Sequence, residues 1–211
     1  VIVITGGMGL IGRAFTEACL QFDGMVMIAD ISKAEPEKSA EKLNERFEGR
    51  VAGVSIDVGN RKDVTNLKDE TLKKFGRIDG LVNCHQNKTA KFFAKFEEYQ
   101  DEDWDAVVET NLKGTYLTCQ IIGSYMAEQG SGSIINMPST YSVVAPNQNL
   151  YAGTSLGCPA AYSASKGGVM ALSQYLATYW ADKGVRVNQI TPHGVWNNHE
   201  EKFEENFSKF S

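Results

Sequence analysis

The chain has 211 residues, with 21 Lys plus Arg against 26 Asp plus Glu and a formal net charge of -5. This length predicts a single domain with one sizeable core, which the 42% of hydrophobic residues can fill. The acidic balance argues against a phosphate-backbone binder, and no apolar run approaches the ~18 residues of a membrane span, so neither a nucleic-acid partner nor a membrane is expected.

Val1 to Ile4 is a β-branched run stopped by Thr5-Gly6-Gly7 and reads as a strand buried on both faces. Apolar residues then recur at helical spacing from Ile11 to Phe22. Met25 to Ala29 predicts a second strand, and Glu35 to Phe47, with Ala40, Leu43 and Phe47 on one face, a second helix. The alternation continues with strands at Val51 to Ile56 and Ile78 to Val82 around a helix at Val64 to Phe75. Asp101 to Glu128 predicts one long helix, followed by a fifth strand at Ser133 to Met137. An irregular stretch, Tyr141 to Pro159, leads into a helix from about Ala161 to Asp182 that stops at Gly184, and Val185 to Ile190 is a sixth strand. Strands separated by helix-length segments require a parallel sheet with helices on both faces, because parallel neighbours need crossover connections. The expectation is one doubly wound α/β domain over 1–211.

Cys19, Cys84, Cys119 and Cys158 form no CxxC pair, and His85, His193 and His199 lack metal-ligand spacing. Reduced thiols in a cytoplasmic protein without a metal are expected. The 20 glycines exceed the roughly 15 of average usage, and three of them mark the first chemical motif.

Thr5 to Gly12, TGGMGLIG, lies between the first strand and the first helix. There Gly6 can make a tight turn, Gly9 lets the backbone approach a pyrophosphate, and Gly12 allows close packing of helix on sheet. The helix N-terminus at Leu10, Ile11 and Gly12 supplies N–H groups and the positive end of a dipole. Asp30 ends the second strand, where a carboxylate would accept from adenosine ribose hydroxyls and repel a 2′-phosphate, so NAD is expected rather than NADP. Asp57-Val58, after the third strand, is the candidate neighbour of the adenine ring.

Tyr162 and Lys166 stand four apart within a helical pattern and share a face. A cation beside a phenol favours the phenolate, which makes Tyr162 a candidate proton donor and acceptor. Ser139 follows the fifth strand at its carboxyl end, the edge where open α/β sheets bind ligands, and can hydrogen-bond a substrate oxygen.

Together with LVN ending at Asn83, NLKG beginning at Asn111, GSIINMPS ending at Ser139, and VNQITPHG, these motifs resemble the short-chain dehydrogenase/reductase family over nearly the whole chain. The resemblance implies a Rossmann fold, hydride transfer between NAD(H) and a hydroxyl or carbonyl of a small-molecule substrate, and a homo-oligomer, dimer or tetramer. It makes Tyr162 the acid/base, Lys166 the residue that holds nicotinamide ribose and lowers the Tyr162 pKa, and Ser139 the group that orients substrate. Asn111 matches the Asn whose main chain kinks the long helix and anchors a water of the proton relay. Pro192 and Gly194 match the segment beside the nicotinamide carboxamide, and Asn83 a cofactor contact.

The chain departs from the family in places. Its glycine loop has the spacing of the extended branch, which includes nucleotide-sugar epimerases and dehydratases, although NLKG, GSIIN and VNQITPHG look like the single-domain branch. Asn83-Cys84-His85-Gln86 replaces the usual NNAG, which keeps a non-catalytic NAD-binding sensor as an alternative. Pro138 and His193 stand where Ser and Gly are common. The chain begins at Val1 inside an apolar run without an initiator Met, and family members normally continue through a last strand and helix, so the chain is expected to be clipped at both ends.

The long gap between Ser139 and Tyr162, with YAGTS at Tyr151 to Ser155, resembles a subgroup associated with bacterial surface-sugar and flagellin modification. It implies a polar, sugar-like substrate met by Asn147, Gln148, Asn149, Tyr151 and Thr154. The tail from Asn197 to Ser211 carries Phe203, Phe207 and Phe210 at helical spacing. It is expected to be an amphipathic helix, either covering the substrate opening or packed on the core.

Overall fold

A computed structural model of the protein describes residues 1–210. Six parallel strands, β1 (Ile2–Thr5), β2 (Val26–Asp30), β3 (Val51–Ser55), β4 (Gly80–Asn83), β5 (Gly132–Asn136) and β6 (Val185–Gln189), form one sheet in the order β3-β2-β1-β4-β5-β6. The first half of the chain builds outward from β1 in one direction and the second half in the other. A crevice therefore opens beyond the carboxyl ends of β1 and β4.

The period of two along each strand separates two cores. Ile4 pairs in register with Ile28 and Val82 and faces Leu20 of α1 (Leu10–Gln21) and Ala40 of α2 (Pro36–Asn44). Val3 pairs with Met27 and Leu81 and points to the opposite layer, which includes Leu67 of α3 (Arg61–Phe75). That layer also holds Cys119, Ile122 and Met126 from the long helix and Leu176 of α7 (Ala160–Tyr179). Val3, Ile4, Leu20, Leu67 and Leu81 are fully buried, so each accounts for roughly 1.5–3 kcal/mol of apolar burial.

The long helix is not uniform. Its α-helical segments α4 (Asp101–Val108), α5 (Gly114–Thr118) and α6 (Ser124–Gln129) are joined by π-helical turns at Glu109–Lys113 and Cys119–Gly123. Such turns commonly accompany functional sites, and the first contains Asn111. After β6 the chain ends in α8 (Glu201–Phe210), which is the tail helix expected from the phenylalanine spacing, with Ser211 outside the described residues. No helix among the described residues is long and apolar enough to cross a membrane.

Candidate active site

The glycine loop has the shape its sequence implies. Gly6 has φ +64°, and a Cβ there would press on the backbone of His85. A Cβ at Gly12 would collide with the Gly6 carbonyl. Gly9 caps α1 with no side-chain acceptor, leaving the amides of the first turn for a ligand. The Asp30 carboxylate already faces this loop: Oδ2 accepts from the Met8 amide at 2.9 Å and Oδ1 from the Ile31 amide at 2.8 Å. A glycine cradle at an uncapped helix end, flanked by a strand-end carboxylate, fits a dinucleotide with free ribose hydroxyls.

Tyr162, Lys166, Pro192 and Gly194 line one cavity of about 650 Å³ with Ile11 of the loop helix. Buried Ser139 adjoins it, its amide and hydroxyl engaged with the turn that follows β5. A hydrogen bond with Ser139 pulls the Tyr162 phenol down, but burial pushes it up further, and Tyr162 stays above the ordinary phenol range. The expected dominance of the lysine over this phenol is therefore not found. The reason is distance and burial: Lys166 Nζ lies 5.8 Å from the Tyr162 ring centroid, and the ammonium is itself enclosed. Desolvation lowers Lys166 to about 8, while Nζ donates to the Met137 carbonyl at 2.7 Å.

Asn111 is buried in the first π turn. Its Oδ1 accepts from the Asn87 amide at 3.0 Å, and its Nδ2 donates to Ser165 Oγ at 3.2 Å. Its carbonyl accepts from Thr115 Oγ1 at 2.8 Å, so the main-chain atom expected to hold a water has a protein donor as well. The Pro192 carbonyl accepts from the Thr140 amide at 3.2 Å, tying the segment after β6 to the turn beside Ser139. Gly194 is needed because a Cβ there would run into the Phe207 ring.

Three residues expected at the cofactor also have partners within the protein. The Asn83 side chain is spent inside the sheet end: it accepts from Thr5 and Thr118 hydroxyls at 3.0 and 2.9 Å and donates to Asn136 Oδ1 at 2.8 Å, so only its backbone can meet a cofactor. Asp57 Oδ1 accepts from the Gly59 amide at 2.8 Å and caps its own turn. Val58 is buried in the core beside Gly114.

The bulkier residues that replace NNAG are accommodated. His85 is buried, with Nδ1 2.7 Å from Thr5 Oγ1 and Nε2 3.2 Å from Thr115 Oγ1; a neutral ring donates to one of these hydroxyls and accepts from the other, which then turns its hydrogen to the ring. Burial pushes it down to about 3, so it is neutral. Cys84 and Gln86 line the cavity, and burial raises the Cys84 thiol to about 12.

Of the polar residues expected to meet substrate, Tyr151 lines the cavity. Asn147 caps its own turn, Thr154 donates to the Tyr151 carbonyl, and Gln148 and Asn149 are exposed outside the cavity lining. Tyr141, His193, His199, Glu200, Phe203 and Phe207 also line it. The tail helix thus covers the opening, with Phe203 and Phe207 facing inward. Tyr141 carried no motif, and only its place two residues after Ser139 pointed to it.

A loop for a dinucleotide and a Ser, Tyr and Lys gathered at the same sheet edge define an oxidoreductase dependent on a nicotinamide dinucleotide. The sequence profile described as short chain dehydrogenase matches residues 1–206, and the chain belongs to that family. D-threitol dehydrogenase of Mycolicibacterium smegmatis is 35% identical over 192 residues, 91% of this chain and 68% of that protein. Post-translational flagellin modification protein A of Campylobacter coli is 26% identical over 212 residues, covering 99% and 82%. A short chain dehydrogenase from Leptospira borgpetersenii, solved with bound NAD+, superimposes with TM-score 0.84 at 31% identity, covering 98% of this chain and 75% of that one.

Proposed function

We propose that the protein is an NAD-preferring dehydrogenase of small polyhydroxylated alcohols or sugar-like substrates, with Tyr162 as the acid/base. The observation that carries this reading is the lining of one cavity by Tyr162, Lys166 and the Ile11 end of the dinucleotide loop, with Ser139 close enough to the Tyr162 phenol to pull it down against burial. The similarity to a D-threitol dehydrogenase supports a polyol-like substrate.

The chemistry supplied by a nicotinamide dinucleotide bound there is hydride exchange with the substrate carbon. First-turn amides of α1 would hold its pyrophosphate, Asp30 would accept from the adenosine ribose in place of the Met8 amide, and Lys166 would meet the nicotinamide ribose. Ser139 orients the substrate oxygen toward Tyr162. Because burial raises the phenol, Tyr162 Oη holds its proton at neutral pH and is ready to donate it to a carbonyl oxygen. In the reverse direction Tyr162 takes the proton of the reacting hydroxyl, a step assisted by any positive charge brought near the ring. Asn111 acts through Ser165, whose Oγ donates to the Tyr162 carbonyl at 2.9 Å, and so fixes the backbone that carries the phenol.

The functional unit in this proposal is a homo-oligomer, for which the exposed stacked pair Tyr175 and Tyr179 on α7 offers an apolar surface. The test is a panel of polyols, sugars, sugar phosphates and simple alcohols with NAD and NADP, followed by absorbance of the reduced nicotinamide. NAD-linked oxidation of polyols above simple alcohols is expected. Turnover of sugar phosphates alone, or with NADP alone, would overturn the assignment.

A further inference from the structure

Two tyrosines in the cavity have no part in the proton transfer just described. Tyr141 and Tyr151 lie ten residues apart, and their hydroxyls are hydrogen-bonded to each other at 2.7 Å. Both line the cavity that holds Tyr162. A phenol has one hydrogen and can accept as well as donate, so a pair sharing one hydrogen bond retains one O–H for a third oxygen, and acceptor capacity besides. In an interior lined by Phe203 and Phe207, that remaining hydrogen needs a partner when a substrate displaces water.

The pair is held in place from three sides. The Tyr141 amide donates to Ser139 Oγ at 3.3 Å, coupling the turn that carries one phenol to the substrate-orienting serine. The Tyr151 ring stacks on Phe203 of α8, with centroids 5.8 Å apart. Asn206 of the same helix donates to the carbonyls of Leu150 and Ala152, which flank Tyr151, at 3.2 and 3.0 Å. Burial raises both phenols above the ordinary range, so both hold their protons at neutral pH.

Resting on the dehydrogenase reading above, we infer that the Tyr141–Tyr151 hydroxyl pair is the specificity element of this site, recognising a second hydroxyl on the carbon next to the one that reacts. The ligand class is a vicinal diol. An alcohol without the second hydroxyl offers the pair's free O–H no acceptor, and a site built to hydrogen-bond a substrate hydroxyl rejects an analogue that lacks it.

The experiment compares 2,3-butanediol with 2-butanol, using NAD, in the wild type and in Tyr141→Phe and Tyr151→Phe. The wild type is expected to favour the diol in kcat/KM. Each variant should lower the diol-to-monoalcohol ratio about five- to tenfold, the yield of roughly one hydrogen bond, mainly through KM. The NAD dissociation constant should not move. Equal losses on both alcohols would make the pair a structural tether and overturn the inference, as would an unchanged ratio. A second arm is independent of turnover: saturation-transfer NMR of 2,3-butanediol with the protein and NADH. If the wild type oxidises neither alcohol, the dehydrogenase reading fails, and the NMR arm still decides the pair. Diol binding lost in both variants supports it, and binding absent from the wild type or retained in both variants overturns it.

Discussion

Lys166 donates from Nζ to the Met137 carbonyl at 2.7 Å, so the ammonium of α7 is fastened to the residue that follows β5. The contact ties the helix carrying Tyr162 to the sheet edge carrying Ser139. It also holds a cation largely out of water, and desolvation lowers Lys166 to about 8 against an ordinary 10.5.

That difference corresponds to about 3 kcal/mol at 1.36 kcal/mol per pH unit. Below pH 8 both folded and unfolded chains carry the proton, and the full cost of the buried charge is present. Between about 8 and 10.5 the unfolded chain binds more protons than the folded one, so this residue makes stability rise with pH. Lys166→Met should therefore flatten the difference in denaturant-derived stability across that window while turnover falls by about 10²-fold or more. The same alkaline rise in the variant would show that the lysine is not the group responsible.

Tyr162→Phe should cut kcat/KM by about 10²- to 10⁴-fold in both directions while NAD binding persists, because it removes the proton carrier and leaves the glycine loop intact. In the wild type the raised phenol predicts that alcohol oxidation accelerates toward alkaline pH and carbonyl reduction declines there. Stopped-flow rates with NAD and NADH measure both limbs. A variant that keeps its turnover would exclude Tyr162 as the acid/base.

Asp30 sets the expected cofactor choice. Its carboxylate bonds the Met8 amide, and ribose hydroxyls compete for the same oxygens. Asp30→Ala removes the acceptor and the repulsion of a 2′-phosphate together, and should shift the NAD-to-NADP ratio of kcat/KM about tenfold or more toward NADP. An unchanged ratio would mean that other residues choose the cofactor.

The sheet, the glycine loop and the Tyr162/Lys166 pair were legible in the sequence because each depends on local spacing: a period of two or 3.6, glycines at a strand-to-helix turn, and an i, i+4 pair. The side-chain partners of Asn83 were not legible, because Thr5, Thr118 and Asn136 come from three other elements at one end of the sheet. Asn147 and Thr154 were expected to meet substrate, yet short polar side chains in loops readily satisfy their own backbone. The π turns at Glu109–Lys113 and Cys119–Gly123 leave the apolar spacing nearly helical and so were hidden in one continuous pattern. The inward face of the tail helix was undecided until Tyr151 supplied the surface on which Phe203 stacks.

His85 occupies a place that small residues usually fill, wedged against Gly6 and Gly114 between the hydroxyls of Thr5 and Thr115. Burial pushes it down to about 3, whereas the unfolded chain protonates near 6.5. As pH falls below 6.5 the unfolded state takes up a proton that the folded state refuses until about 3, so this residue makes stability fall with acid by about 1.4 kcal/mol per pH unit in that window. His85→Ala loses packing and two hydrogen bonds and should be less stable at pH 7 by roughly 2–4 kcal/mol. Its stability should nevertheless decline less steeply between pH 6.5 and 4.5 than that of the wild type. Urea melts at half-unit pH steps measure both slopes, and parallel curves would show that His85 is not the acid-sensitive group.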